Sequence, residues 1–314
     1  MKPDALEQLA SKKGVDAQTV IRALNLAWSS TKCELEGHPV EYGIILGSFN
    51  SILSAIPQPC LRGPKLDTCN LVCGKIIQNY GGLDEWNKSA LIIDRHTSKI
   101  EGCVDLSALR TEDPYEYISG ITNSICIITK RTHAVRIYCN GKLEIQYIFN
   151  RKSGVIEERK TEEFVPIFTR HDAPPEVATK VLDTCLRISE IRKGASIFLG
   201  LLPNYSIFSQ AALDILRFYN PEMATTLPMS SMIRYATEDG ATWIDERGLV
   251  RGYKLTFVGP GGRHVIAKHI TSKNKDIVAT VVSQDGEIKI FEQDAIHQFA
   301  TQTARDILFV EDRK

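Results

Sequence analysis

The chain has 314 residues, 43% of them hydrophobic and 24% charged, with 38 Lys and Arg against 38 Asp and Glu. That composition belongs to an ordinary globular protein and excludes a fibrous or disordered one, and the length predicts about two domains, because a single core stops growing near ~250 residues. A net charge of zero leaves no surplus cations for non-specific nucleic-acid binding, so no nucleic acid is expected as a partner, although one local site can still hold an anion.

No apolar run reaches the ~18 residues that span a bilayer. Met1-Lys2-Pro3-Asp4 leads into an amphipathic stretch without the apolar centre of a signal peptide, and the expectation is a cytoplasmic protein with no membrane partner. The first predicted helices lie over 4–30, where Leu6, Leu9, Ala10, Val20, Ile21, Leu24 and Ala27 recur at helical spacing. Gly14 divides them and Asp16 is a candidate cap of the second. Over 43–56, Ile44, Ile45, Leu46 and Phe49 do not distinguish strand from helix. Pro57, Pro59, Gly63 and Pro64 read as a loop, followed by a helix over 66–79 that Tyr80-Gly81-Gly82 ends.

From 88 to about 165 the pattern predicts short strands over 90–93, 100–104, 125–129, 134–138 and 144–149. Asn140-Gly141 reads as a hairpin turn, since both positions tolerate positive φ. A helix over 174–191 follows, then a buried strand over 195–199 and helices over 209–219 and 229–236. Strands over 241–245, 249–257, 276–283 and 287–291 come next, and a C-terminal helix is predicted over 293–306. The expected fold is α/β (α+β), a mixed central sheet flanked by helices. Three stretches are expected: 1–84, mostly helical; 85–168, β-rich; and 169–314, mixed.

The eight cysteines (Cys33, Cys60, Cys69, Cys73, Cys103, Cys126, Cys139, Cys185) do not form a zinc pattern, because Cys69 and Cys73 lack a second pair or a nearby His. They read as reduced structural thiols. His96, His133 and His171 read as surface residues, and Glu157-Glu158-Arg159-Lys160 as a solvated face. Trp28, Trp86 and Trp243 read as core anchors.

Three segments carry candidate chemistry. Thr237-Glu238-Asp239-Gly240-Ala241 sits at a helix-to-strand junction. Gly259-Pro260-Gly261-Gly262-Arg263-His264 enters a short predicted helix. Val281-Val282-Ser283-Gln284-Asp285-Gly286 ends a strand. A glycine-rich loop at a helix start presents N–H groups and a positive dipole end to an anion. Arg263 adds a fork of donors suited to phosphate, and His264 a further donor. Asp239 beside Gly240 offers a carboxylate where a metal or ligand can come close to the backbone. Such a carboxylate facing a phosphate cradle suits metal-assisted nucleotidyl transfer. The same segments are also what ordinary turns and helix stops look like, and the motifs alone leave both readings open.

The order Lys193-Gly194-Ala195-Ser196-Ile197-Phe198-Leu199, then Asp239-Gly240-Ala241, then Gly261-Gly262-Arg263-His264, then Val282-Ser283 resembles the diadenylate cyclase domain over roughly 172–292. The resemblance implies a nucleotide-binding domain over 169–314 that condenses two ATP into cyclic di-AMP with Mg²⁺ or Mn²⁺, two domains meeting face to face in a homodimer or higher oligomer. By the same resemblance Asp239 holds the metal and helps activate a ribose hydroxyl, and Asp239, Arg263 and His264 form the catalytic set. Gly240, Ala241, Leu255, Gly261, Gly262 and Ser283 complete the nucleotide site, with Leu255 facing the adenine. The sequence departs from the family at Val265, where the motif has an arginine, at Gly262, where it has a threonine, and in the short connection of 24 positions from Asp239 to Arg263. A catalytically inactive nucleotide-binding sensor is therefore the alternative, and a second Lys or Arg in the pocket is the feature that separates them.

The 90–94 and 125–138 segments also echo 241–245 and 277–291. Ala90 to Thr129 is 39 positions and Ala241 to Ser283 is 42. This is either a worn second copy without the motif residues or the general likeness of two β meanders.

Overall fold

The computed structural model describes residues 5–30, 34–35, 38–39, 43–56, 60–67, 89–97, 99–106, 109–130, 134–150, 155–201, 205–258, 261–293, 295–299 and 302–303. They form two compact units, one of 1–149, 155–158 and 303–314, the other of 150–154 and 159–302. Both are mixed α and β, with sheets flanked by helices.

Unit 1 begins with α1 (Ala5–Lys13) and α2 (Ala17–Ser30), separated at Gly14, whose φ is +62°. The Asp16 carboxylate accepts from Thr19 N at 3.0 Å and caps α2. A two-stranded ribbon, β1 (Glu34–Leu35) and β2 (His38–Pro39), comes next. The sheet elements are β3 (Gly43–Gly47), β4 (Cys60–Asp67), β5 (Ser89–Asp94), β6 (Lys99–Asp105), β7 (Ile125–Lys130), β8 (Ala134–Cys139), β9 (Lys142–Asn150) and β10 (Val155–Arg159), with α3 (Phe49–Ala55) and α4 (Pro114–Ile121) between strands. The undecided stretch over 43–56 thus divides into a strand and a helix. Asn140 and Gly141 have φ of 54° and 74°, as a two-residue hairpin between β8 and β9 requires. Val20, Leu24 and Trp28 of α2 are buried against Ile44, Ile127 and Ile137 of the sheet; each such side chain contributes about 1.5–3 kcal/mol. The N-terminal helices and the middle strands, different in sequence character, share this core.

Unit 2 contains α5 (Thr161–Thr169), α6 (Pro175–Glu190), β11 (Ala195–Gly200), α7 (Gln210–Phe218), β12 (Glu222–Met223), α8 (Met229–Thr237), β13 (Ala241–Ile244), β14 (Leu249–Leu255), α9 (Arg263–Lys273), β15 (Ile277–Val282), β16 (Ile288–Glu292) and β17 (Ala295–Gln298). A last strand, β18 (Gln302–Thr303), joins the edge of the first sheet. The second sheet runs β12-β14-β13-β11-β15-β16-β17. Only β11 and β13 run parallel; the other neighbours are antiparallel. Within the first sheet, β4-β6-β5-β3-β7-β8-β9 has the same order, again with one parallel pair, β3 and β5. Trp243 anchors the second core as expected, its Nε1 donating to Gly200 O at 2.9 Å.

Four expectations are corrected. The helix over 293–306 is a strand in its first part: β17 pairs antiparallel with β16, Phe291 opposite Ile296. Local spacing there permits a helix, but β16 offers an open edge, and filling its hydrogen bonds outweighs weak helix propensity. The loop over 57–64 is β4 from Cys60 onward, with a register shift between Arg62 and Leu66 that accommodates Gly63 and Pro64. The helix over 66–79 starts on residues of β4, and its remainder lies outside the described residues. Glu157, Glu158 and Arg159 are buried, not solvated. Tyr147 donates to Glu158 at 2.8 Å, and Arg159 donates to Ser189 Oγ at 2.7 Å and Gly286 O at 2.9 Å. These polar partners are far away in sequence. His171 is likewise engaged, meeting Glu292 at 3.0 Å and Lys275 O at 2.7 Å. Cys103, Cys126, Cys139 and Cys185 are buried, while Cys33, Cys69, Cys73, Trp86 and His133 lie outside the described residues.

Among the described residues no helix is long and apolar enough to cross a membrane.

Candidate functional site

The ends of β11, β13 and β14 and the start of α9 enclose a cleft of about 330 Å³, at the lower end of small-molecule sites. Its walls are Ser196, Phe198, Asp239, Gly240, Ala241, Leu255, Thr256, Phe257, Gly261, Gly262, Arg263 and Ile266. Seven residues singled out in the sequence therefore meet here: Asp239, Gly240, Ala241, Leu255, Gly261, Gly262 and Arg263.

The chain builds this meeting by close backbone approach. Gly240 has φ +113°, and a Cβ there would stand 2.7 Å from Lys254 C and 2.9 Å from Leu255 N and O. Glycine alone lets β13 begin so close to the end of β14, which brings Asp239 to the mouth of the cleft. Opposite, α9 opens with Gly262 as its N-cap, and no side chain caps it. A helix start of this kind presents its dipole end to whatever occupies the cleft. Arg263, its first residue, lays its guanidinium over Gly194, where a Cβ would come within 2.5 Å of Nη1. Gly194 thus makes room for the arginine.

The floor is apolar. Phe198 and Phe257 have ring centroids 5.3 Å apart, Phe257 stacks on Phe208 at 5.3 Å, and Leu255 is fully buried. Ser209, the cap of α7, hydrogen-bonds the Thr256 hydroxyl and so ties that helix to the rim. Ser196 and Phe198 stand in the 193–199 run of the sequence without being assigned to the site there, and Thr256, Phe257 and Ile266 are not singled out in it, because the fold and not local sequence brings them in.

The rim carries one cation, Arg263, and one anion, Asp239, and among the described residues neither is in an ion pair. Lys254 is close in sequence, but its ammonium pairs with Glu238 at 3.2 Å and is not part of the wall. Two expected residues do not join the cleft. The Ser283 hydroxyl donates to Glu287 O at 3.2 Å within a turn. The His264 ring packs edge-on against Phe291, centroids 6.0 Å apart. Val265, at the position of the motif's second arginine, is 60% exposed. No group of three or more His, Cys, Asp or Glu suited to a metal occurs among the described residues.

No family model matches this sequence, and no curated protein matches it. Similar solved structures include a hypothetical membrane-spanning protein from Bacillus cereus and a double mutant of DacA from Staphylococcus aureus, each 14% identical over 40% of this chain with a TM-score of 0.31. The matches span 63% of the first chain, less than two thirds of its length, and 87% of the second. Both likenesses are too distant to carry a function across.

Proposed function

We propose that unit 2 is a nucleotide-binding domain of the diadenylate cyclase kind, acting as a binding module that takes an adenine nucleotide in the cleft. The base would lie on Phe198, Leu255 and Phe257, and the phosphates at the glycine-flanked start of α9 beside Arg263. The observation that carries this reading is the single cleft that unites an apolar slot with an uncapped helix start, an arginine and a carboxylate. A charge-assisted hydrogen bond from Arg263 is worth about 1.5–3 kcal/mol, enough to orient a phosphate.

The count of cations favours binding over turnover. Condensing two triphosphates needs donors aimed at charge that develops in the transition state, and Arg263 is the cleft's one Lys or Arg among the described residues. The exposed Val265 supplies no charge at the position where the family has its second arginine.

Retention of Asp239 at the mouth supports a second reading, ATP condensation to cyclic di-AMP in a homodimer. Mg²⁺ and Mn²⁺ accept one or two carboxylates together with substrate phosphates, so Asp239 fits as the single protein ligand of an ion that arrives with the nucleotide. Such an ion would neutralise phosphate charge, while Arg263 orients the phosphates and the apolar floor holds the base.

The test is calorimetric titration with ATP in the presence of Mg²⁺ or Mn²⁺, with mass spectrometry of the products. Binding that weakens ~10-fold or more in Arg263→Ala, with no cyclic di-AMP formed, supports the module. Cyclic di-AMP that disappears in Asp239→Asn establishes the second reading, and absence of binding by any adenine nucleotide sinks both.

A further inference from the structure

We infer that unit 1 is a second copy of the fold of unit 2 whose ligand site the chain has closed with its own Asp113 and Tyr115, so that of these two matched sites only that of unit 2 stays open among the described residues. The likeness goes beyond strand order. In both units an antiparallel pair leaves the parallel strand's far edge, β5 with β6 and β13 with β14. The two pairs share a register slip: between Ile92 and Ile93, opposite Gly102 and Ile100, and between Trp243 and Ile244, opposite Gly252 and Val250, with β13–β14 slipping a second time between Ala241 and Trp243. After both β5 and β13 the next residue, or the last of the strand, is an aspartate that ties the turn. Asp94 accepts from His96 N at 3.0 Å and Thr97 N at 2.9 Å; Asp245 accepts from Arg247 N at 3.0 Å and Leu249 N at 2.9 Å. Each unit then places one helix, α4 or α9, before the strand that returns beside β3 or β11. Two unrelated meanders have no reason to share a slip at the same step and an aspartate at the same turn.

Matched through these registers, the cap of α4 is Asp113 where the cap of α9 is Gly262. The difference decides what the helix start can receive. In unit 2 no side chain caps α9. In unit 1 the Asp113 carboxylate accepts from Tyr115 N at 3.1 Å and Glu116 N at 3.3 Å, while its other oxygen accepts from Tyr138 Oη at 2.7 Å and lies 3.7 Å from the Arg136 guanidinium. Arg136 is 5% exposed and also donates to Tyr138 Oη at 3.1 Å. An internal anion thus occupies the donors that a phosphate would need.

Tyr115 closes the rest. Gly43 in β3 corresponds to Ser196 of the cleft wall, and a Cβ on Gly43 would run into the Tyr115 ring. That ring is 1% exposed. In sequence, the residue two before Ala90 is Lys88, where the residue two before Ala241 is Asp239.

One open site per chain means that any reaction joining two nucleotides needs two chains. This consequence rests on the proposed nucleotide function; the closure does not. Equilibrium titration of the full chain with ATP and Mg²⁺ should give one ATP per chain, its affinity weakened ~10-fold or more in Arg263→Ala. Two ATP per chain, or one whose affinity Arg263→Ala leaves unchanged, would overturn the closure. A chain that binds no ATP would sink the proposed function instead and leave the closure to a second arm. In the Arg263→Ala background, Asp113→Gly recreates the open helix start of unit 2, and Asp113→Ala likewise removes both cap and charge, should the glycine variant not fold. Inorganic sulfate at tens of millimolar should raise the melting temperature of either by several degrees more than that of the parent, because anion binding stabilises the state that binds it. Equal responses of variant and parent would refute the closure.

Discussion

Replacing Gly240 with alanine isolates the backbone approach on which the cleft is built. Two costs add. A residue other than glycine held at φ +113° costs about 1–3 kcal/mol. The new methyl would also stand 2.7–2.9 Å from Lys254 and Leu255 backbone atoms, which cannot swing aside as a side-chain end can, and overpacking of this sort costs about 1–3 kcal/mol. A total near 3 kcal/mol lowers the melting temperature of a unit of this size by roughly 6–12 °C. Gly262→Ala is the control, because its φ is −72° and a Cβ there meets nothing within 4 Å; its cost as a cap change stays under about 1 kcal/mol. Scanning calorimetry, with near-UV dichroism to follow buried Trp243, reads both. If Gly240→Ala melts within about 2 °C of wild type, or no lower than Gly262→Ala, the steric reasoning is wrong.

Three further outcomes are expected. Burial pushes the Glu292 carboxyl up, but hydrogen bonds from His171 and His297 and the nearby Arg170 charge outweigh it and hold it below the ordinary glutamate value. A depressed folded value means the stabilisation is complete above the ordinary ~4.3 and fades as pH falls through the lower folded value; the stability gap between wild type and Glu292→Gln should close in acid, and a gap unchanged there would contradict it. Burial raises the Cys126, Cys139 and Cys185 thiols above their ordinary range. Since the thiolate is the reactive form, maleimide labelling read by mass spectrometry should spare all three until the chain is unfolded; modification of the native protein at the denatured rate would refute this. Trp243→Phe keeps an aromatic side chain but removes the indole N–H that meets the Gly200 carbonyl, and a buried acceptor left unpaired costs about 1–3 kcal/mol; denaturant titration showing no loss would mean that another donor takes its place.

Much of this protein was legible in its sequence wherever the cause is local. Gly14 and Asp16 divide and cap the first helices, and Asn140-Gly141 turns the β8–β9 hairpin. Each acts through its own φ or its own side chain within four residues, so spacing and residue type suffice. The cleft was half legible: Asp239, Gly240 and the Gly261-Gly262-Arg263 run carry their chemistry in adjacent letters. Ser196 and Phe198 acquire a place in it because β11 lies beside β13, and Thr256 because β14 pairs with β13, and neither pairing can be read from the residues beside them in the chain. For the same reason Ser283 and His264 stand in a motif yet off the wall, and the charged run at 157–159 is buried against partners the local sequence does not contain. β17 replaced an expected helix because an open sheet edge offers hydrogen bonds that local propensity cannot weigh. Asp113 shows the division most plainly. In sequence it is an ordinary helix cap before Pro114, whereas the fold sets it against Arg136 and Tyr138 from a neighbouring strand. Turns and caps are decided over a few residues; which charges meet, and which helix start stays open, is decided by sheet register across the whole unit.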